Sequence, residues 1–174
     1  MLTGEYLVLN GAEALAVPLR LGQQMDVFTS LHSDSTLKWT SEDTDGVFFN
    51  GEFSLRDFSI LSSDDEVAAE FVAGVLKGAR QLNKNFMNDD AGFQVHCSIE
   101  FSRQYGFGSS STFICNVAKW AEIDALQLNE IVSSGSGYDV AVGMTNTPII
   151  YQLVNGVSEI FKVELNYTFT DKLL

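Results

Sequence analysis

Cysteine is scarce in this chain: Cys97 and Cys115 are the only two among 174 residues. A disulfide framework is therefore not what holds the fold. One cysteine falls in a strand-like run and the other in a helix-like run. The expectation is two buried free thiols in a reducing compartment, with a bridge open only if their β-carbons face each other. Histidine is equally rare. His32 and His96 stand apart from any cysteine or carboxylate at metal-ligand spacing, so a zinc site is not expected. Basic residues are few, 10 against 23 acidic ones, for a formal net charge of −13. That balance argues against nucleic acid or an anionic membrane as the main partner. A phosphate ligand stays open, because a nest of backbone N–H groups attracts an anion at short range whatever the net charge. No apolar run approaches a membrane span, and the opening MLTGEYLVL has neither a basic n-region nor a cleavage site. A cytoplasmic protein is the expectation. No internal repeat or low-complexity segment is evident.

What is present is enough for one domain with a real core. Hydrophobic residues make up 45% and charged residues 19%, a globular balance, and thirteen Phe point to an aromatic core. In chain order, residues 5–9 and 14–19 read as two strands around Asn10-Gly11, with Pro18 marking an edge or an irregularity. Residues 24–31 and 36–40 read as further strands, and Ser41–Gly46 as an acidic loop. Asn50-Gly51 suggests another hairpin or a bulge within Val47–Phe53, and Ser54–Leu61 reads as a strand or an irregular return. Ser62–Glu66 supplies cap candidates and early acidic charge for a helix. Its apolar residues Val67, Phe71, Val75, Leu76, Ala79 and Leu82 recur at helical spacing. Gly92–Phe101 alternates like a strand, Ser109–Ile123 reads as a helix, and Asp124 as the cap of a short one. Pro148–Val154 and Glu159–Leu165 form a hairpin across Asn155-Gly156. Strands first, then helices interleaved with late strands, give an α+β class, most simply a mixed sheet with helices packed on one face.

One stretch organises the rest. Tyr105-Gly106-Phe107-Gly108-Ser109-Ser110-Ser111-Thr112 stands between a strand and an amphipathic helix. Strand, glycine-rich turn and helix place free N–H groups and a helix N-terminus around an anion. Gly106 and Gly108 permit close backbone approach. Ser109, Ser110, Ser111 and Thr112 can cap the helix, bind phosphate oxygens or help hold Mg²⁺. An ordinary serine-rich N-cap is the plain alternative. A second small-residue turn, Gly135-Ser136-Gly137-Tyr138-Asp139-Val140-Ala141, carries one acidic side chain into an apolar run. Its plain alternative is a turn aspartate bonded to its own backbone. Tyr138 beside it reads as a packing residue.

Taken together, GEYLVLNGAEALAVPL (Gly4–Leu19), YGFGSSSTFICNVAKWAEID (Tyr105–Asp124) and GSGYDVA (Gly135–Ala141) resemble, in order, spacing and content, the GHMP kinases. This is the superfamily of galactokinase, homoserine kinase, mevalonate kinase and phosphomevalonate kinase. The first and third segments look most like the mevalonate and phosphomevalonate branch, and the variants suggest an uncharacterised bacterial subgroup. The resemblance implies a GHMP N-terminal domain, a ribosomal-protein-like β-α-β arrangement, over residues 1–174. It implies transfer of the γ-phosphoryl group of ATP to a hydroxyl or phosphate of a small metabolite. By the same resemblance, Gly106, Gly108, Ser109, Ser110, Ser111 and Thr112 match the ATP-phosphate loop, with Ser110 or Ser111 helping to position Mg²⁺. Asp139 matches the catalytic base. Glu5 lies in the first motif; a role at the site and a structural ion pair are equally open for it.

Against the family pattern, no lysine precedes the first motif, the glutamate that binds Mg²⁺ has no clear counterpart, and Glu130 does not align with it. The family's C-terminal domain would begin near residue 174. The resemblance thus implies the ATP-binding part of a kinase, with self-association through the uncovered face expected. The alternative is a noncatalytic nucleotide- or metabolite-binding fragment.

Overall fold

The structure, a computed structural model, describes residues 1–4, 7–30, 35–88 and 91–165. Its class is α+β. The strands divide between two sheets rather than forming a single one. The larger sheet contains Gln23–Ser30 (β2), Thr36–Asp43 (β3), Gly46–Ser54 (β4), Ile60–Ser63 (β5) and Gly92–Ile99 (β6). Its order is β2-β6-β3-β4-β5, with β3 and β6 parallel and the other neighbours antiparallel. The smaller, antiparallel sheet places Ile149–Val154 (β7) between Ala14–Ala16 (β1) and Val157–Lys162 (β8). The helices are Glu66–Leu82 (α1), Ser109–Trp120 (α2), Ala125–Val132 (α3) and Tyr138–Thr145 (α4).

Strand periodicity explains the larger sheet. On β3, Leu37, Trp39 and Ser41 are buried while Lys38 and Thr40 face away; on β6 Val95, Cys97 and Ile99 are buried. One face thus packs under the helices, as alternation requires. The main core joins Leu37, Trp39, Val95 and Cys97 to Phe49, Phe53, Phe113, Ile114, Val117 and Leu128. A second cluster, around Ala16, Ala141, Ile149 and Tyr151, fastens the smaller sheet to α4.

Several local expectations need correction. Leu7–Asn10 is a 3-10 turn, so Asn10-Gly11 does not join two strands; Gly4 accepts from the Val8 N–H and the chain curls before β1. Residues 41–43 continue β3, and the hairpin turns at Thr44 and Asp45. Asn50-Gly51 lies inside β4 and makes no hairpin, whereas the bulge left open within Val47–Phe53 is met by register shifts of β4 against β3 and β5. A β-carbon on Gly51 would stand 2.7 Å from Cζ of Phe49 and 3.1 Å from Cε2 of Phe53, so the glycine makes room for core rings. Helix α1 starts as expected, with the Asp65 carboxylate accepting from the Ala68 N–H at 3.0 Å. Its buried face, however, runs through Ala69, Val72, Ala73, Val75, Leu76, Gly78 and Ala79, leaving Val67 exposed. Small residues decide this. A β-carbon on Gly78 would lie 2.9 Å from Cγ1 of Val132, so α1 meets α3 at close range there. The Asp124 cap and the Asn155-Gly156 hairpin are as read from the sequence.

Candidate functional site

The glycine stretch follows β6 directly. Phe101 ends in the core, Arg103–Tyr105 makes one 3-10 turn, and Gly106 closes it in the left-handed region at φ 66°. Gly108, at φ 82°, is the N-cap of α2 and supplies no side-chain cap. Both positions need a backbone that L side chains adopt only with strain. The Ser111 and Thr112 N–H groups donate to the Gly108 carbonyl, each at 3.0 Å. Those of Ser109 and Ser110 have no backbone acceptor among the described residues, so the helix opens with outward donors.

Three supports hold the loop. Phe107 packs edge-on against Phe101 and at a tilt against Tyr105, with centroids 5.5 Å apart in each case. The Thr112 hydroxyl donates to Oε1 of Gln23 at 2.7 Å, and Nδ2 of Asn116 donates to the Gln23 carbonyl at 2.9 Å. Gln23 reaches them because it pairs with Ile99 at the end of β6. Before the loop, the Arg103 N–H donates to Asp43 at 3.2 Å and the Ser102 hydroxyl to Asp45 at 2.9 Å, tying the segment to the β3–β4 turn.

The second turn becomes a second glycine-capped helix. Gly137, at φ 82°, precedes α4, whose first turn carries Asp139. The Tyr151 hydroxyl donates to the Ser136 carbonyl and fixes the turn on β7. Burial pushes the Tyr151 phenol up, so it stays protonated as a donor. A β-carbon on Gly143 would be 3.4 Å from Sγ of Cys115, so α4 lies close against α2. This packing brings Asp139 beside the glycine loop: its carboxyl carbon is 3.9 Å from where a Gly108 β-carbon would be.

The loop separates two cavities. One, about 370 Å³, is lined by Gly106, Phe107, Gly108, Thr112, Tyr138 and Asp139, with Val17–Leu19 and the first two residues opposite. The other, about 140 Å³, lies between α1, α2 and the larger sheet. Phe48, Phe49, Phe71 and Phe113 line it, with Ser109, Ser110, Gln23 and Arg103 at its polar edge. Of the residues singled out in the sequence, the structure thus brings Gly106, Gly108, Thr112 and Asp139 to one cavity and Ser109 and Ser110 to the other. Ser111 stands in the first turn between them, and Glu5 lies outside the described residues. Sequence reasoning missed Gln23, Asn116 and Phe107, whose parts depend on strand register and ring packing.

Among the described residues, no cluster of three or more His, Cys, Asp or Glu could hold a metal ion, and no helix is long and apolar enough to cross a membrane. Cys97 and Cys115 are free thiols, Cys97 buried and Cys115 partly so.

The α+β fold defines a class of architecture, and a solved structure shares that fold. The chain is similar to Lactococcus lactis galactokinase in complex with galactose, with a TM-score of 0.63 and 19% sequence identity. The match covers 94% of this chain and 45% of that one. At that identity the likeness is one of fold, and this chain spans less than half of the galactokinase. No protein-family model matches the sequence, and the search of curated proteins gives no match.

Proposed function

We propose that this chain is the nucleotide-binding part of an ATP-dependent small-molecule kinase of GHMP type. The observation that carries the reading is the approach of Asp139 to Gly108, at the N-terminus of α2 and in the wall of one cavity. The nucleotide would straddle the loop. An apolar cavity of about 150 Å³ takes one benzene-sized ring, so the phenylalanine-lined cavity of about 140 Å³ would take one edge of the two-ring base and leave the rest at its mouth. The phosphates would run over the N–H groups of Ser109 and Ser110 toward Asp139. The larger cavity would take the acceptor.

In this reading Asp139 takes the proton of the acceptor hydroxyl as its oxygen bonds to the γ-phosphorus. The bond from that phosphorus to the bridging oxygen breaks and ADP leaves with its electron pair. The helix N-terminus stabilises charge on the transferring group. Mg²⁺, when bound, offsets charge on the β- and γ-phosphates. Ser110 or Ser111 would offer a hard oxygen donor that suits an ion held mainly by nucleotide oxygens and water. Thr112, bonded to Gln23, keeps the loop in register.

The fold likeness to a galactose-bound kinase puts sugars first among acceptors. The mevalonate and phosphomevalonate branch rests on the motif resemblance and stays in the screen. Calorimetric titration of the folded chain with ATP, with and without Mg²⁺, tests the reading. Metal-dependent binding supports it; no binding removes it. Binding without turnover on any acceptor favours the noncatalytic alternative.

A further inference from the structure

We propose that Arg103 is the cation of the nucleotide site: its guanidinium leaves Asp43 and pairs with the phosphates of the bound triphosphate. The inference rests on the nucleotide reading above and adds a residue that neither the motifs nor the fold likeness singles out. Among the residues lining the two cavities, Arg103 alone is a lysine or arginine, and it shares a cavity with Ser109 and Ser110. In a chain of net charge −13, a triphosphate approaching this loop gains little from the long-range field. Local positive charge must offset its own. Arginine suits the task because its planar fork of donors matches phosphate oxygens two at a time.

The side chain is set to move. Its Nε is 3.5 Å from Oδ2 of Asp43, at the long end for a paired contact, and 44% of it is exposed. The guanidinium carbon is 3.5 Å from the centroid of Phe48, a ring in the same cavity wall, so the group already lies along the cavity edge. Asp43 does not need it. The side chain of Asp43 is only 6% exposed, yet its carboxylate also accepts from the Asp45 N–H at 2.9 Å and from the backbone N–H of Arg103 at 3.2 Å. When the guanidinium swings away, the buried carboxylate keeps two donors and the backbone anchor of the segment remains. A structural ion pair would more often leave its partner stranded.

The two partners therefore separate under mutation. Mg-ATP and adenosine are titrated into the wild type, Arg103→Gln, Arg103→Lys and Asp43→Asn, with thermal melting recorded for each. Arg103→Gln is expected to weaken Mg-ATP about tenfold or more, the scale of one charge-assisted contact, while adenosine affinity changes little. Arg103→Lys recovers part of the loss. Asp43→Asn leaves Mg-ATP affinity unchanged or tighter, since the cation is no longer shared. Should Arg103→Gln not fold, Arg103→Lys still weakens Mg-ATP binding while Asp43→Asn does not. The inference is overturned if the wild type binds Mg-ATP while changes at both positions lower the melting temperature alike and leave its affinity untouched. A wild type that binds neither compound removes the nucleotide reading and this inference with it.

Discussion

A β-carbon on Gly108 would stand 3.9 Å from the carboxyl carbon of Asp139, although the two residues are 31 positions apart in the chain. Two helices that both start from a left-handed glycine meet there. If Asp139 accepts the acceptor's proton, Asp139→Asn keeps the shape and loses the base. Phosphoryl transfer should then fall by about 10²–10⁴, the usual worth of a positioned acid or base, while Mg-ATP affinity stays within a few-fold. Single-turnover transfer beside a nucleotide titration separates the two quantities. Equal turnover in the variant would remove the assignment.

Gly108 itself makes a separate prediction. At φ 82° an added methyl meets no atom nearer than the Asp139 carbon, so the difficulty is backbone strain rather than a clash. Gly108→Ala should destabilise the chain by about 1–2 kcal/mol, the penalty for an L residue in the left-handed region. It should also weaken nucleotide binding by turning the Ser109 and Ser110 N–H groups. Urea unfolding and titration of the same variant would show both effects.

How much of this was legible in the sequence follows from what is local and what is not. The Asp65 and Asp124 caps, the Asn155-Gly156 hairpin and the strand–loop–helix around Gly106 and Gly108 depend on neighbours within a few residues, and the sequence states them openly. Asn50-Gly51 carried the same signal as a turn but lies within β4, because Phe49 and Phe53 need the space a side chain at Gly51 would take. The exposed position of Val67 was hidden for a similar reason: the face of α1 is chosen by close contact at Gly78 with α3. At the site, residue types marked Asp139 and the serines. The link from Gln23 to Thr112 spans 89 positions and depends on the β2–β6 register, which no local pattern encodes.

That link is itself testable. Thr112→Val removes the hydroxyl and leaves Oε1 of Gln23 without this donor at a partly buried position. A loss of about 1–2 kcal/mol is expected, with a weaker hold on ATP as the first turn of α2 loosens. Thr112→Ser retains the hydroxyl and should recover most of the affinity. If valine matches serine in both stability and nucleotide titration, the bond contributes nothing to the loop.

Acid should unfold the protein through carboxylates that anchor turns. Burial raises the Asp43 carboxyl, but hydrogen bonds from the Asp45 and Arg103 N–H groups, with the Arg103 charge, outweigh it and hold its pKa below the ordinary value. The Asn50 backbone N–H and then its side-chain amide do the same for Asp64. A folded-state pKa below the unfolded one stabilises the fold at any pH above the unfolded value, about 3.9 for a free Asp. That contribution disappears as the pH falls through the lowered folded value. Stability measured by urea unfolding should therefore be level near pH 6 and drop below about pH 4, and Asp64→Asn should flatten the drop. An unchanged acid limb in that variant would show that Asp64 does not contribute.

The two thiols predict the opposite limb. Burial pushes Cys97 up to about 12 and Cys115 to about 11, from an ordinary value of 9.0. A raised thiol pKa means that the unfolded chain gives up its protons first. The stabilising contribution is whole below the unfolded pKa and erodes as the pH climbs from there toward the folded values. Unfolding free energy should accordingly decline above about pH 9, and Cys115→Ser should reduce that decline. At pH 8 the same burial keeps both sulfurs protonated, so a thiol reagent should modify the native chain slowly and the urea-unfolded chain quickly. The Cys115 sulfur faces Gly143 and lies 3.6 Å from the Val140 carbonyl, at the α2–α4 contact that carries Asp139. Modification at Cys115 should therefore weaken Mg-ATP binding. Rapid native labelling of Cys115 with no change in nucleotide affinity would mean that α4 is not held against α2 through this contact.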